Sequence, residues 1–152
     1  MAQWLGPKRD GSTGEKVTPW KDDQPPKVLW PQEISAGYSS PVIAGGKVFV
    51  HAVVRDKDEE EVIAYDLVKG DVLWKDSYVR PRFRSILGTG PRATPTASGK
   101  QLFTMGINGV LSCYDTETAN LPGRSICSAS WKRRCRNTPC AARRSWSATE
   151  LS

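Results

Sequence analysis

Apolar and polar positions alternate in short, sharply bounded runs between residues 39 and 74. Residues 40–44 are mostly apolar, and Gly45-Gly46 ends that run. Residues 47–54 are rich in β-branched side chains, with Phe49 and Val53 on one face and Val48, Val50 and Val54 on the other. A charged stretch follows at 55–60, then an apolar run at 62–66, a turn at Lys69-Gly70 and a last run at 71–75 that carries Trp74. Short β-branched runs bounded by glycine predict strands. A strand that is apolar on both faces predicts a sheet covered on both sides rather than one with a wet face.

The pattern recurs. Ser40-Pro41-Val42 matches Thr94-Pro95-Thr96, and Ala64-Tyr65-Asp66 matches Cys113-Tyr114-Asp115. Residues 46–50 match residues 99–103 with one residue of slack, and Asn108-Gly109, a strong two-residue hairpin signal, replaces the long charged loop. Upstream, Val28-Leu29-Trp30 matches Val72-Leu73-Trp74 at an offset of 44 residues and reads as a last strand whose own unit is missing. Units of four short strands at a period near 50 predict an all-β fold, a fragment of a β-propeller with four-stranded antiparallel blades. A blade takes roughly 40 to 50 residues and a ring needs at least four blades. A chain of 152 residues therefore holds about two and leaves sheet faces and edges bare. A small independent β-sandwich is the alternative, and it makes no use of the repeat spacing.

These residues resemble the quinoprotein-like β-propeller repeat, the pyrroloquinoline-quinone (PQQ) enzyme repeat in its broad, mostly cofactor-free form. The resemblance rests on the Ser-Ser-Pro-Val…Gly-Gly-Lys-Val-Phe-Val start, the Tyr-Asp…Gly core and the Val-Leu-Trp end, and it covers residues 4 to about 118. The opening residues 4–11 and residues 88–95 are similar to segments of such proteins in planctomycete-type bacteria. The resemblance implies either a scaffold that presents propeller faces and edges to partner proteins or a PQQ dehydrogenase. It also implies a periplasmic or extracytoplasmic setting.

Charge divides the chain. Residues 1–118 carry 15 Lys+Arg and 15 Asp+Glu, whereas residues 119–152 carry seven basic residues against Glu150, so the net +6 lies wholly in the tail. The expected domains are an extended, proline-bearing lead-in at 1–27, partial repeats at 28–118 and a disordered tail at 119–152. Trp4 and Trp20 are candidates to dock the lead-in onto a blade. No charged start precedes an apolar core, so no signal peptide is expected, and no stretch is long enough to span a membrane.

The tail admits three readings. It is a basic nucleic-acid or membrane arm, a metal site on Cys127, Cys135 and Cys140, or a segment translated out of frame. The cysteine spacings lack a C-x-x-C pair, which leaves the metal reading thin. The frame reading follows from the repeat itself. One permitted coding of residues 119–126, read one base earlier, translates as Gly-Lys-Leu-Ala-Trp-Ser-Ile-Asp. That reading restores the turn glycine at position 119 and a tryptophan at 123, which is 49 residues after Trp74, the offset of Tyr65 to Tyr114.

Little else suggests chemistry. Asp56, Asp58 and Glu60 offer oxygens of the kind calcium takes, but without the glycine and bidentate glutamate of a known loop, so a solvated hairpin is expected. Arg80, Arg82, Arg84 and Arg92 fall in a long connection as an anion-binding rim or, the preferred reading, a solvated loop. His51, the sole histidine, is expected to pack, and Cys113 lies in a repeat strand and reads as core. No catalytic, cofactor-binding or metal residue is assigned, and no cofactor is expected. The expected function is a non-catalytic repeat fragment of a protein-binding scaffold with an unknown protein partner. The alternatives are a fragment of a PQQ-dependent dehydrogenase and a basic-tailed nucleic-acid binder, although no specific nucleic acid is expected.

Overall fold

The computed structural model describes residues 2–126 apart from 7, 13, 15, 17 and 84. The expectations for Arg84, for Cys127, Cys135 and Cys140 and for the rest of the tail beyond 126 lie outside the described residues. Two antiparallel sheets of four strands stand in chain order. The first sheet holds β1 (Val42–Ala44), β2 (Lys47–Val53), β3 (Glu59–Asp66) and β4 (Val72–Val79). The second holds β5 (Thr96–Ser98), β6 (Gln101–Met105), β7 (Val110–Asp115) and β8 (Gly123–Ile126). No helix occurs among the described residues, and none is long and apolar enough to cross a membrane.

The pleat explains the stacking. In the first sheet Val42, Phe49, Ala64 and Trp74 share one row, and His51, Val62 and Asp76 share the next. This face packs on Leu102 and Tyr114 of the second sheet to make the main core, with Trp74 5.8 Å from Phe49 and 5.7 Å from Tyr114 between ring centres. Burying one such large apolar side chain contributes about 1.5–3 kcal/mol. The opposite face of the first sheet forms a smaller cluster of Val48, Ile63 and Tyr65, partly covered by Trp30.

The two tryptophans dock alike. Trp30 donates its indole N–H to the Leu67 carbonyl at 3.1 Å and stacks on Tyr65, and Trp74 donates to the Thr116 carbonyl at 3.0 Å and stacks on Tyr114. The turns that receive them are also copies. Asp66 accepts from the N–H groups of Val68 and Lys69, and Asp115 from those of Glu117 and Thr118. These backbone donors hold both carboxyls below their ordinary range. Gly70 closes the first turn at φ +77°, and a Cβ there would lie 2.6 Å from the Trp30 ring. The equivalent position in the second turn is Ala119, at φ 60°. L-residues avoid that region at a cost of about 1–2 kcal/mol.

Several expectations need correction. The slack between the copies disappears in the structure. Val48 pairs with Tyr65 as Leu102 pairs with Tyr114, so β6 follows β2 at a constant offset of 54 residues. The charged stretch is shorter than expected, because β3 begins at Glu59, and β4 continues past Lys75 to Val79. Finally, the second unit has a closing strand within the segment assigned to the tail. Gly123 pairs with Cys113 and Arg124 with Ser112, so residues 123–126 continue the sheet. Trp20 is 64% exposed, whereas Trp4, at 59%, lies beside Tyr38, Arg92 and Thr94. The lead-in meets β5 through the Ala97 N–H, which donates to the Ala2 carbonyl.

Candidate functional site at the polar seam between the sheets

The seam between the sheets is apolar at one end and ionic at the other. At the ionic end β2, β3 and β4 bring His51, Glu60 and Tyr78 onto the inner face, and Arg80 follows directly after β4. All four are buried, and Glu60 is fully so. The Tyr78 hydroxyl donates to Glu60 Oε2 at 2.5 Å, the Ile107 N–H donates to Oε1 at 3.1 Å, and Arg80 Nε lies 3.4 Å from Oε1. His51 Nε2 is 3.2 Å from the Tyr78 hydroxyl and 3.5 Å from Oε2. Its Nδ1 is buried without a hydrogen-bond partner among the described residues.

Burial alone would push the Glu60 carboxyl up. The hydrogen bonds from His51, Tyr78 and Ile107 outweigh it and hold the carboxyl below its ordinary value. Burial and the bond to Glu60 push the Tyr78 phenol far up, so it stays a donor. Gly106 is needed for this approach, because a Cβ there would collide with the Glu60 carboxylate and the Tyr78 hydroxyl. Arg80 also donates to the Thr89 carbonyl at 3.2 Å, and Asn108 donates to the Pro81 carbonyl at 2.6 Å. One buried carboxylate thus ties the first sheet, the loop after β4 and the β6–β7 turn of the second sheet.

Beside it, Arg124 joins β8 to the first sheet. It pairs with Asp76, donates to the Tyr114 hydroxyl at 2.8 Å and to Ser112 Oγ at 3.0 Å, and lies 4.5 Å from the centre of the Tyr78 ring. Thr104 and Ser112 complete the polar lining from the second sheet. The seam chemistry belongs to this pair of sheets. On the outer face of the second sheet, Met105 and Leu111 stand in register where His51 and Val62 stand on the first.

The structure separates the carboxylates weighed for calcium. Asp56 and Asp58 are exposed, whereas Glu60 points into the seam. Among the described residues no group of three His, Cys, Asp or Glu is placed to hold a metal ion. The arginine rim divides likewise. Arg80 turns inward to Glu60, while Arg82 and Arg92 are exposed, with Arg92 5.9 Å from the centre of the Tyr38 ring. His51 is buried, against Tyr78 rather than among apolar groups alone. Cys113 is half-buried on the outer face of the second sheet, and burial pushes its thiol up.

Stacked four-stranded antiparallel sheets, each receiving a tryptophan from the chain that precedes it, define a β-propeller repeat protein. The family model described as outer membrane protein assembly factor BamB matches residues 12–87, which is 76 of 152 residues. The chain belongs to this family of PQQ-like repeats. Solved structures with a similar arrangement include BamB from Moraxella catarrhalis, at 14% identity and TM-score 0.40, covering 55% of this chain. A europium-containing methanol dehydrogenase gives 16% identity and TM-score 0.42, covering 58%. The chain spans 21% and 15% of the length of those two proteins. No curated protein matches significantly.

Proposed function

We propose that the chain is part of a non-catalytic β-propeller scaffold that binds protein partners through its loops and sheet edges. The observation that carries this reading is the closure of the ionic seam. Glu60, His51 and Arg80 face one another at 0%, 1% and 3% exposure, which suits a clamp between sheets. The loop after β4 supplies a surface suited to a protein. Ile86 and Leu87 are exposed at its tip, and Arg92, Tyr38 and Trp4 line a shallow hollow at its base. Aromatic and arginine side chains are the groups that dominate protein interfaces. The family description, an outer membrane protein assembly factor, is in keeping with such a role.

The test is site-specific photo-crosslinking from position 86 in extract of the source cells, with Arg92→Glu in parallel. One discrete adduct that Arg92→Glu suppresses supports the scaffold. Stoichiometric PQQ binding in a calcium-containing titration would overturn it in favour of a dehydrogenase fragment.

We infer further that the reading frame changes near residue 119. Two structural positions support this. Ala119 occupies the positive-φ turn position that Gly70 fills in the first unit, and Gly123 faces Cys113 as Trp74 faces Ala64. The alternative frame supplies glycine and tryptophan at those two positions. The nucleotide sequence tests it: an open frame one base away carrying further repeats is expected, and an early stop there without repeats removes the idea.

A further inference from the structure

The connection from β4 to β5, residues 80–95, lies between the two sheets and forms no strand or helix among its described residues. Connections longer than about 12–15 residues without secondary structure are uncommon, and many are binding loops. This one is held at both ends. At its start the Arg80 N–H donates to the Asp58 carbonyl at 2.9 Å, and Asn108 Nδ2 donates to the Pro81 carbonyl at 2.6 Å. At its end the Tyr38 N–H donates to the Pro91 carbonyl at 2.9 Å, and the Ser40 N–H donates to Thr94 Oγ1 at 3.1 Å. Gly88 stands at φ +87°, where a Cβ would collide with the Tyr38 ring. Between these anchors the tip presents Ile86 at 102% exposure and Leu87 at 65%. Two large apolar side chains are thus kept in water on a backbone ordered beforehand, which lowers the cost of binding there.

The charge around the tip is of one sign. No Asp or Glu occurs between Asp76 and Asp115, and the loop carries Arg80, Arg82, Arg84 and Arg92. Arg80 faces Glu60, whereas Arg82 and Arg92 are exposed and meet no carboxylate among the described residues. On the neighbouring β2–β3 hairpin Asp56 and Asp58 alternate with Arg55 and Lys57, so it brings no net charge to balance them. Arg92 is also positioned. Its Nη2 lies 3.3 Å from Ser85 Oγ and 3.5 Å from the Gly88 carbonyl, and its guanidinium lies 5.9 Å from the centre of the Tyr38 ring. Nε and Nη1 make no hydrogen bond among the described residues. A held, planar guanidinium with free N–H groups matches a carboxylate.

We propose that this loop docks an acidic segment of the partner protein, with carboxylates on Arg82 and Arg92 and an apolar side chain against Ile86 and Leu87. The proposal rests on the scaffold reading and names the chemistry of the partner at this loop. A lipid surface fits less well, because a flat bilayer meets the tip but not the hollow at the base that Tyr38, Arg92 and Thr94 line. A nucleic acid backbone fits the arginines and leaves Ile86 and Leu87 without an apolar partner.

Fluorescence anisotropy tests it with three short labelled peptides of equal length. The first contains glycine, aspartate, glutamate and leucine in equal parts, the second replaces its acids by lysine, and the third replaces its leucines by serine. The first is expected to bind in the micromolar range, the second not at all and the third more weakly. Arg92→Glu, Arg82→Glu and Ile86→Ser are each expected to weaken the first by about tenfold. Lys100→Glu makes the same charge change at the opposite end of the strands and is expected to leave binding unchanged. Arg92→Lys keeps the charge without the planar fork and is expected to bind between wild type and Arg92→Glu, a readout that lost folding would not give. Absence of binding overturns the proposal, and so does equal weakening by Lys100→Glu, which marks diffuse attraction alone. Binding to phosphatidylglycerol vesicles without binding to the first peptide overturns it in favour of a membrane. A crosslinked adduct at position 86 that persists in Arg92→Glu removes the acidic partner and leaves the scaffold, whereas stoichiometric PQQ binding removes the scaffold and leaves the peptide titration to be read by itself.

Discussion

Replacing Glu60 by glutamine keeps the side chain's outline and removes the negative charge that faces Arg80 and His51. The side chain keeps its shape, so no cavity forms. What is lost is the charge-assisted part of two hydrogen bonds, from the Tyr78 hydroxyl at 2.5 Å and the Ile107 N–H at 3.1 Å, together with the partner of Arg80 at 3.4 Å. Hydrogen bonds to a charged group contribute about 1.5–3 kcal/mol each. Removing one member of a buried ion pair costs roughly 3–5 kcal/mol, because the other charge is left uncompensated. The expected loss for Glu60→Gln is therefore about 3–5 kcal/mol, a large part of the roughly 5–15 kcal/mol that holds a typical domain.

Urea unfolding followed by tryptophan fluorescence measures it as a lower midpoint at unchanged slope. Glu59→Gln is the control. Its side chain lies 4.0 Å from the mostly exposed Lys57 ammonium, so a change within about 0.5 kcal/mol is expected. A double-mutant cycle with Arg80→Met isolates the pair, and the double variant is expected to recover at least about 1 kcal/mol relative to Glu60→Gln alone. A Glu60→Gln midpoint indistinguishable from the parent would refute the assignment of Glu60 as the clamp.

Three further outcomes are expected. Trp74→Ala should cost about 3–5 kcal/mol, since it empties the centre of the main core and frees the Thr116 carbonyl, whereas Trp20→Ala should be neutral in the same thermal melt. Ala119→Gly should raise stability by about 1 kcal/mol in urea titration, because the turn holds residue 119 at φ 60°. The Glu60 carboxyl lies below its ordinary 4.5 in the folded chain, so its contribution is complete above pH 4.5 and is lost as pH falls through the folded value. Stability measured from pH 7 down to 3 should fall below 4.5 in wild type and show a shallower fall in Glu60→Gln.

Most of the fold was legible because two of its signals are local. β-branched runs between glycines mark strands, and the recurrence of Tyr65-Asp66 at Tyr114-Asp115 marks the unit. The polar seam was harder to see, although its phase was present. Glu60 falls two residues before Val62 and four before Ala64, on the buried face of β3, and Asp76, Tyr78 and Arg80 continue the inward row that Trp74 begins. Composition argued the other way, since three consecutive glutamates and a run of arginines read as solvated loops. Alternation is the stronger signal where a strand continues past its apolar part. A glutamate in the buried phase then asks for a cation in the buried phase of a neighbouring strand, and Arg80 is that cation. No sequence pattern announces the third partner, the Ile107 N–H, because it comes from a turn of the next sheet.

The closing strand of the second unit shows where a pattern and its physical role part company. Read by motif, residues 119–126 lack both the turn glycine and the tryptophan and predict no strand. The structure makes one because backbone pairing needs neither. Val110, Leu111, Ser112 and Cys113 offer an edge, and residues 123–126 take it. Arg124 then anchors the strand through Asp76 and the Tyr114 hydroxyl. What the missing residues remove is specific to their positions. Without glycine at 119 the turn holds an L-residue at positive φ, and without a ring at 123 the second sheet cannot dock over a third as the first docks over it. Pairing along a sheet is thus generic and tolerates a sequence that lacks the turn glycine and the tryptophan. Docking between sheets depends on one side chain at one register, so the second sheet keeps its strands but presents its outer face, Phe103 to Cys113, without the tryptophan that would carry the stack forward.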